Sequence, residues 1–426
     1  MRKYLKFILM ALVLLSFSNQ AIAEEALSWQ ECVKEAAKNH PDLIAAVEEV
    51  NQSVAAKKIT ASALYPQIDA SLNAQTARTA TGSGPASTAD SYSYGVSGTQ
   101  LIFDGTKTIQ EVKAASETIK ASQQNFKFTS TQVRLNLRTA YINLLTAQEM
   151  IRVTEEIIKI RKENYELITL RYESGLEHRG ALLTAEANLA VAYFELAQAK
   201  RDIGLAQRQM TKEMGRKDFV PMSVKVDFTV VDSAKDKPDL ETLVKNHPSL
   251  QQLIAQKNSA EFSLKSAYAN FSPALTGSAG ANKAGTKWAP RGDNWNLGLA
   301  LSMPIFEGGL RLAQVSQAQA LLNQLKENER STKDGLVVAL EQAWVSLRDA
   351  VETVDVQYKS LVATEERSKI AEAEYATGFI SYDNWTIIED NLVQAKTGYL
   401  NARTNALLAE ANWIQAKGEV LENAKT

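Results

Sequence analysis

The longest uninterrupted pattern in the chain covers residues 106–172, TKTIQEVKAASETIKASQQNFKFTSTQVRLNLRTAYINLLTAQEMIRVTEEIIKIRKENYELITLRY. Apolar residues recur in it every seven positions, in two interleaved sets. The first set is Val112, Ile119, Phe126, Val133, Ala140 and Ala147, and the second is Leu137, Leu144, Ile151, Ile158, Tyr165 and Tyr172. This period is typical of helices that supercoil around neighbouring helices. At 1.5 Å per residue, the pattern predicts one helix of about 100 Å.

The same pattern returns in the second half of the chain, where only Glu329 and Ser368 interrupt it. Other segments recur at the same separation of about 205 residues, which indicates a tandem structural repeat. The matching pairs are Asn39-His40-Pro41 with Asn246-His247-Pro248, Phe103-Asp104-Gly105 with Phe306-Glu307-Gly308, and Tyr172-Glu173-Ser174-Gly175 with Tyr375-Ala376-Thr377-Gly378. His40 and His247 precede prolines and are predicted to lie at helix boundaries.

The repeat predicts the domain organisation. We expect a signal peptide (1–23), a first repeat (24–214), a linker or equatorial segment (215–238), a second repeat (239–417) and a C-terminal tail (418–426). The first repeat is predicted to contain a helix (29–64), a β-hairpin (67–103), a long helix (106–172) and a shorter helix (180–214). In the second repeat we expect a helix (239–270), a β-hairpin (274–304), a long helix (310–375) and a shorter helix (382–417).

The N-terminus has the pattern of a secretory signal. It carries Arg2, Lys3 and Lys6, then an apolar run, then the small residues Ala21 and Ala23. We therefore predict cleavage after Ala23. The apolar run is too short to cross a bilayer as a helix.

The two predicted hairpins alternate apolar and small polar residues. The apolar positions that we predict to face a membrane are Tyr92, Tyr94, Val96, Trp295, Leu297, Leu299 and Leu301. A sheet that packs on a soluble core shows the same alternation, so a single strand does not decide between the two. Four strands cannot close a barrel, whereas three chains supply twelve. The sequence thus favours a trimer.

Composition excludes several classes of function. The formal net charge is −2, so no basic excess favours nucleic-acid binding. The single cysteine, Cys32, rules out a disulfide framework, and the three histidines have no spacing typical of a metal cluster. We predict no catalytic site, no metal site and no cofactor.

The combined pattern resembles the TolC family of outer-membrane efflux channels. The residues that carry the resemblance are the repeat, Tyr65-Pro66 and Ser272-Pro273 before the hairpins, the motifs LIFDG and MPIFEGG before the long helices, and the Tyr-x-x-Gly turns. The resemblance implies a mainly helical chain with a small β part. Three chains would form an α-barrel of coiled-coil helices and a 12-stranded outer-membrane β-barrel that extends into the periplasm. Its partners would be outer-membrane lipid, a periplasmic adaptor (membrane fusion protein) and an inner-membrane transporter.

The resemblance also implies positions for the parts of such a channel. The hairpin loops 79–90 and 281–293 would face the cell exterior, and Val224, Val226, Phe228 and Val230 would lie in a belt at the waist. The periplasmic gate and adaptor contact would include Gly175, Glu177, His178, Arg179, Gly378, Tyr382, Asp383 and Asn384. Many members have an aspartate six residues after the turn glycine, where this chain has Ala181 and Asn384. We therefore expect an entrance that is less cation-selective.

Two functions remain open from the sequence. The first is an export channel of a tripartite efflux or type I secretion system. The alternative is a periplasmic adaptor or scaffold without a pore. An adaptor normally has one coiled-coil hairpin, whereas the sequence of this chain predicts two coiled-coil units, which favours the channel. An enzyme is a distant third, and the exported cargo stays undetermined.

Overall fold

The structure, a computed structural model, describes residues 26–80, 82, 86–229 and 237–425. The predicted signal peptide and Val230 lie outside these residues. The chain is mainly helical with a small β part. The first half contains α1 (Trp29–Asn39), α2 (Pro41–Ser62), β1 (Gln67–Thr79), β2 (Ser87–Phe103), α3 (Lys107–Glu173) and α4 (Arg179–Glu213). The second half contains α5 (Leu240–Asn246), α6 (Pro248–Ala269), β3 (Ala274–Gly285), β4 (Gly292–Ser302), α7 (Leu310–Thr377), α8 (Tyr382–Ala416) and a 3-10 helix (Leu421–Lys425).

Each predicted first helix is two helices in the structure. The break falls at His40 and at His247, whose ψ angles of 123° and 131° are extended. A proline follows each histidine, and a residue before proline disfavours the helical conformation. Both imidazoles cap the helix that follows, because Nδ1 accepts the backbone N–H of Asp42 or Ser249 at 3.2 Å. The histidines therefore lie at helix boundaries.

The long helices α3 and α7 have 67 and 68 residues. Some of their heptad positions are fully buried. Leu137, Leu144, Leu340 and Leu347 are fully buried, and burying a leucine side chain contributes about 2 kcal/mol. The heptad pattern is thus most deeply buried near the middle of each long helix, whereas Tyr172, at the end of the second set, is 39% exposed.

The four strands form one antiparallel sheet in the order β1-β2-β3-β4. The central pairing, β2 with β3, joins the two halves of the sequence. Glycines on one face make room for neighbouring side chains: a Cβ on Gly95 would lie 2.4 Å from Cβ of Asn282, and one on Gly280 would lie 2.6 Å from Oδ1 of Asn296. The polar face of the sheet is therefore packed by asparagines above glycines.

The hairpin turns are shorter than the predicted loops 79–90 and 281–293. Polar side-chain pairs lie across the strands near these turns. Thr76 donates to Asp90 at 2.8 Å, and Lys283 pairs with Asp293 at 3.1 Å. Cross-strand pairs of this kind stabilise a sheet.

The chain divides into two compact units. One contains residues Met1–Leu43, Ser130–Asp239 and Ala339–Thr426, and the other contains Ile44–Thr129 and Leu240–Val338, with the whole sheet. Each unit takes segments from both halves of the sequence. In the described part of the chain, we find no helix with the length and hydrophobicity needed to cross a membrane.

Candidate functional site

Two turns join the long helices to the helices that follow them. Gly175 and Gly378 have φ angles of 71° and 82°, in the left-handed region that favours glycine. After each glycine, the next backbone N–H returns to the helix: Leu176 donates to the carbonyl of Arg171, and Phe379 to that of Glu374, both at 2.8 Å. This is the Schellman ending, which satisfies carbonyls that the helix leaves open.

The following helices begin with side-chain caps at equivalent positions. His178 accepts the backbone N–H of Ala181 through Nδ1 at 3.1 Å, and Ser381 accepts that of Asn384 at 3.4 Å. Because Nδ1 of His178 is an acceptor, its proton lies on Nε2 in the neutral ring. Nε2 is 3.7 Å from the carboxylate of Glu177.

A hydrogen bond links the first turn to helix α7. The hydroxyl of Tyr375 donates to Glu177 at 2.7 Å. The tyrosine is only 2 % exposed. Burial, reinforced by the hydrogen bond to Glu177, raises the pKa of the Tyr375 phenol well above its ordinary value. The phenol therefore remains a protonated donor throughout the physiological pH range.

An aromatic cluster surrounds this bond. The rings of Tyr375 and Trp385 stack with centroids 4.6 Å apart, and Tyr382 meets both edge-on at 6.3 Å. The guanidinium of Arg171 lies 4.7 Å from the Tyr375 ring centroid, a cation–π contact. Trp385 is buried, and within the described part of the chain its Nε1–H has no hydrogen-bond partner. The smaller side chains packed in this cluster are Ile168, Ala181, Ala185 and Ala371.

The predicted gate residues therefore divide into two groups. Glu177, His178 and Tyr382 lie in or beside the cluster. Arg179, Asp383 and Asn384 are exposed in the first turns of α4 and α8, and the described residues offer no ion pair to Arg179 or Asp383.

Sequence reasoning gave no role to Trp385 or to the partners of Glu177. One signal was available in the sequence, because Tyr375, Phe379, Tyr382 and Trp385 fall within one short stretch of the chain. Sequence reasoning also gave no role to the buried carboxylate of Glu389, which accepts a 2.5 Å hydrogen bond from Ser368.

A groove lies beside the second turn, along α7 and α8. Its volume is about 710 Å³. Its apolar lining comes from Ile370, Ile380, Ile387 and Ile388, and its polar lining from Glu366, Arg367, Glu374 and Asn384. Ile370 and Ile387 are more than half exposed. Exposed apolar side chains rimmed by charges are typical of surfaces that bind another protein.

The predicted membrane-facing residues share one face of the sheet. The register places Val96, Ala281 and Trp295 in one row, and Tyr94 beside Leu72 in the next. Exposure on this face is high, from 42 % for Tyr94 to 80 % for Trp295. Leu297, Leu299 and Leu301 continue the face along β4, and Tyr92 is half-buried. Among the described residues, we find no group of His, Cys, Asp or Glu side chains able to hold a metal ion.

Comparison with known proteins identifies the family. The family model for outer membrane efflux proteins matches residues 32–216 and 240–419. The chain belongs to this family of efflux channels, which are not enzymes. It is located in the outer membrane and extends into the periplasm.

Two curated relatives illustrate the similarity. The probable outer membrane lipoprotein SilC of Salmonella typhimurium is 24% identical over 266 residues, which is 60% of this chain and 56% of SilC. The outer membrane protein TolC of Escherichia coli is 26% identical over 148 residues, 34% of this chain and 30% of TolC. The alignments thus span about half or less of these relatives.

Solved structures share the fold. CusC superposes with a TM-score of 0.82 at 17% identity, over 94% of this chain and 95% of CusC. The CmeC outer membrane channel of Campylobacter jejuni gives a TM-score of 0.77 at 20% identity, over 91% of this chain and 85% of CmeC.

Proposed function

We propose that the protein is the outer-membrane channel component of a tripartite efflux or type I secretion system. It would act as a passive conduit across the outer membrane and periplasm. The observation that carries this proposal is the apolar face of the sheet, on which the side chains of Trp295 and Leu297 are each about four-fifths exposed on a single chain. Such a face is stable only against lipid or another apolar surface.

Three copies of the chain would complete the sheet. In the described residues, β1 and β4 each have a paired strand on one side only. A bilayer does not tolerate open strand edges, so β4 of one copy would pair with β1 of the next, giving a 12-stranded β-barrel. The coiled-coil helices also carry exposed apolar side chains that would pack against neighbouring copies of the chain. The exposed ones on α4 include Leu183, Val191, Phe194 and Leu205. These would form the trimeric α-barrel.

The two turns would be the periplasmic gate. The Tyr375–Glu177 hydrogen bond ties one turn to the other coil, so breaking it would favour a looser entrance. Ala181, where many related channels have aspartate, is buried in the aromatic cluster and Asn384 is uncharged. We therefore expect weak block by divalent cations, because few like charges focus cations at the entrance.

The groove beside the second turn would accept the periplasmic adaptor, and the adaptor would connect the channel to an inner-membrane transporter. The mixture of isoleucines and charged side chains suits a helical hairpin. The transporter would select the cargo. The alternative is a periplasmic adaptor or scaffold without a pore. Such a protein would not need an apolar sheet face exposed to lipid.

The native mass of the mature chain, extracted from outer membranes in detergent, tests the proposal. A trimer that conducts ions after reconstitution into planar bilayers is the expected result. A monomer or dimer recovered from the soluble periplasm without detergent would refute the channel and favour the scaffold.

A further inference from the structure

The apolar face of the sheet changes character toward the hairpin turns. Along β4 it presents Leu301, Leu299, Leu297 and Trp295, and the next residue on this face is Asp293. Asp293 lies opposite Lys283, and the two side chains form an ion pair at 3.1 Å. The first charged row therefore begins one step beyond Trp295.

The position of this row fits the thickness of a membrane. Met303, on the same face just after β4, is 61% exposed. From Met303 to Asp293 the chain rises about 34 Å at roughly 3.4 Å per residue. With a strand tilt of about 40°, this is a height of about 26 Å, close to the roughly 25 Å apolar band of outer-membrane barrels. The charged row thus falls at the level of lipid headgroups.

An aromatic pair lies at the same end of the sheet. Trp288, in the turn between β3 and β4, meets the ring of Tyr92 edge-on with centroids 6.0 Å apart. Tyr92 belongs to the apolar face, and Trp288 is 66% exposed. Tryptophan and tyrosine favour the boundary between hydrocarbon and headgroups.

Cations exceed acids in the parts of the two hairpins nearest their turns. The cations are Arg78, Lys283, Lys287 and Arg291, and the acids are Asp90 and Asp293. Asp293 is paired with Lys283, and Asp90 accepts from Thr76. Arg78, Lys287 and Arg291 are exposed and form no ion pair within the part of the chain that the structure describes. Of these, Lys287 and Arg291 lie in the β3–β4 turn on either side of Trp288, so three copies of the chain would present six such cations there.

We propose that the surface formed by Lys283, Lys287, Trp288 and Arg291 binds the phosphate groups of lipid A in the outer leaflet. The inference rests on the proposed insertion of the sheet into the outer membrane. Arginine binds phosphate through paired N–H groups, lysine adds charge, and the acyl chains lie along the leucines of β4. Each cation at a membrane surface strengthens binding to anionic lipid about fivefold.

The experiment measures binding of lipid A to the full mature protein in detergent by native mass spectrometry. The test variant is Lys287→Gln/Arg291→Gln. The matched control is Lys326→Gln/Lys333→Gln, which removes two exposed cations from α7 that form no ion pair with any residue the structure describes. Dephosphorylated lipid A and inorganic phosphate serve as the comparison ligands. The same spectra report the oligomeric mass.

We expect the test variant to bind lipid A about 25-fold more weakly than the native protein, at fivefold per cation, and the control to be unchanged. Equal binding by the two variants would overturn the proposal. So would equal affinity for dephosphorylated lipid A, because the acyl chains alone would then explain binding. Displacement of lipid A by millimolar phosphate would indicate a free-anion site instead. A protein that is not a trimer refutes the proposed channel, whereas a trimer without lipid A preference refutes only this inference.

Discussion

Replacing Tyr375 with phenylalanine isolates the hydrogen bond between the first turn and helix α7. The substitution removes one oxygen and leaves the ring stacked on Trp385 at 4.6 Å. The lost bond, 2.7 Å long, joins a buried phenol to the carboxylate of Glu177, whose side chain is 11% exposed. Hydrogen bonds to charged groups contribute about 1.5–3 kcal/mol. Because water and His178 reach the carboxylate, we take the lower end, about 1.5 kcal/mol.

If the bond exists only in the closed entrance, this loss shifts the closed-to-open equilibrium about tenfold, since 1.4 kcal/mol is a factor of ten. A channel that is open about 1% of the time would then be open about 10% of the time. Single-channel recordings of the purified protein in planar bilayers measure this fraction directly. The matched control is Tyr358→Phe on the same helix, whose hydroxyl has no hydrogen bond in the described structure and whose residue is 51% exposed.

The double variant Tyr375→Phe/Glu177→Gln completes a thermodynamic cycle. Since both substitutions disrupt one bond, the second should add little to the first. Equal open fractions for Tyr375→Phe and Tyr358→Phe in an intact channel would refute the reasoning. Fully additive effects of Tyr375→Phe and Glu177→Gln would refute it as well.

Three further predictions concern stability and reactivity. Gly215→Ala should lower the free energy of unfolding by about 2–5 kcal/mol, because φ is 71° and the new Cβ would lie 2.5 Å from the carbonyl oxygen of Asn39. Gly378→Ala, where a new Cβ would have no atom within 4 Å, should lower it by only about 1–2 kcal/mol. Denaturant titrations of the two variants measure the difference. Gly335→Ala, within α7 and with no neighbour within 4 Å, should raise the free energy of unfolding by about 1 kcal/mol in the same assay, and a lower value would contradict the open environment. Burial raises the pKa of the Cys32 thiol from 9.0 to about 12, so a maleimide should label it only after denaturation. The unfolded thiol ionises first, so stability should fall as pH rises from about 9 to 12, and Cys32→Ala should remove that part of the decline.

The sequence predicted the fold class because its signals are long. A heptad pattern sustained over residues 106–172 specifies a helix without tertiary information, and the family comparison confirms the predicted resemblance. The interruptions in the pattern were not explained by sequence alone. Ser368 is buried, and its hydroxyl donates a hydrogen bond to the carboxylate of Glu389. Glu329 forms an ion pair with Lys257 at 2.7 Å. Each of these two polar heptad residues has a polar partner elsewhere in the chain, and the heptad pattern alone does not predict that partner.

Short elements were harder to predict for a related reason. The stretch around Leu275 consists mostly of alanine, glycine and serine and predicts only a weak strand, yet β3 has 12 residues. Its pairing with β2 and β4 on both sides supplies the stability that its own side chains lack. Its glycines are also needed, because Gly280 provides the space that Asn296 occupies.

The candidate gate shows why a repeated sequence need not give a repeated site. Tyr172 and Tyr375 occupy equivalent positions before the two turns, but Tyr172 is 39% exposed and Tyr375 is 2% exposed. After the turns, Glu177 of the first repeat corresponds to Ile380 of the second. The phenol and the carboxylate that form this hydrogen bond therefore come from different predicted repeats. The equivalent pair, Tyr172 and Ile380, lacks a carboxylate. In the described part of the chain this donor and acceptor combine once, so a closed trimer would contain three such hydrogen bonds. The gate would then open in at most three equivalent steps, one for each hydrogen bond that breaks. Single-channel recordings of mixed trimers with one, two or three Tyr375→Phe subunits would then show a discrete open fraction for each composition.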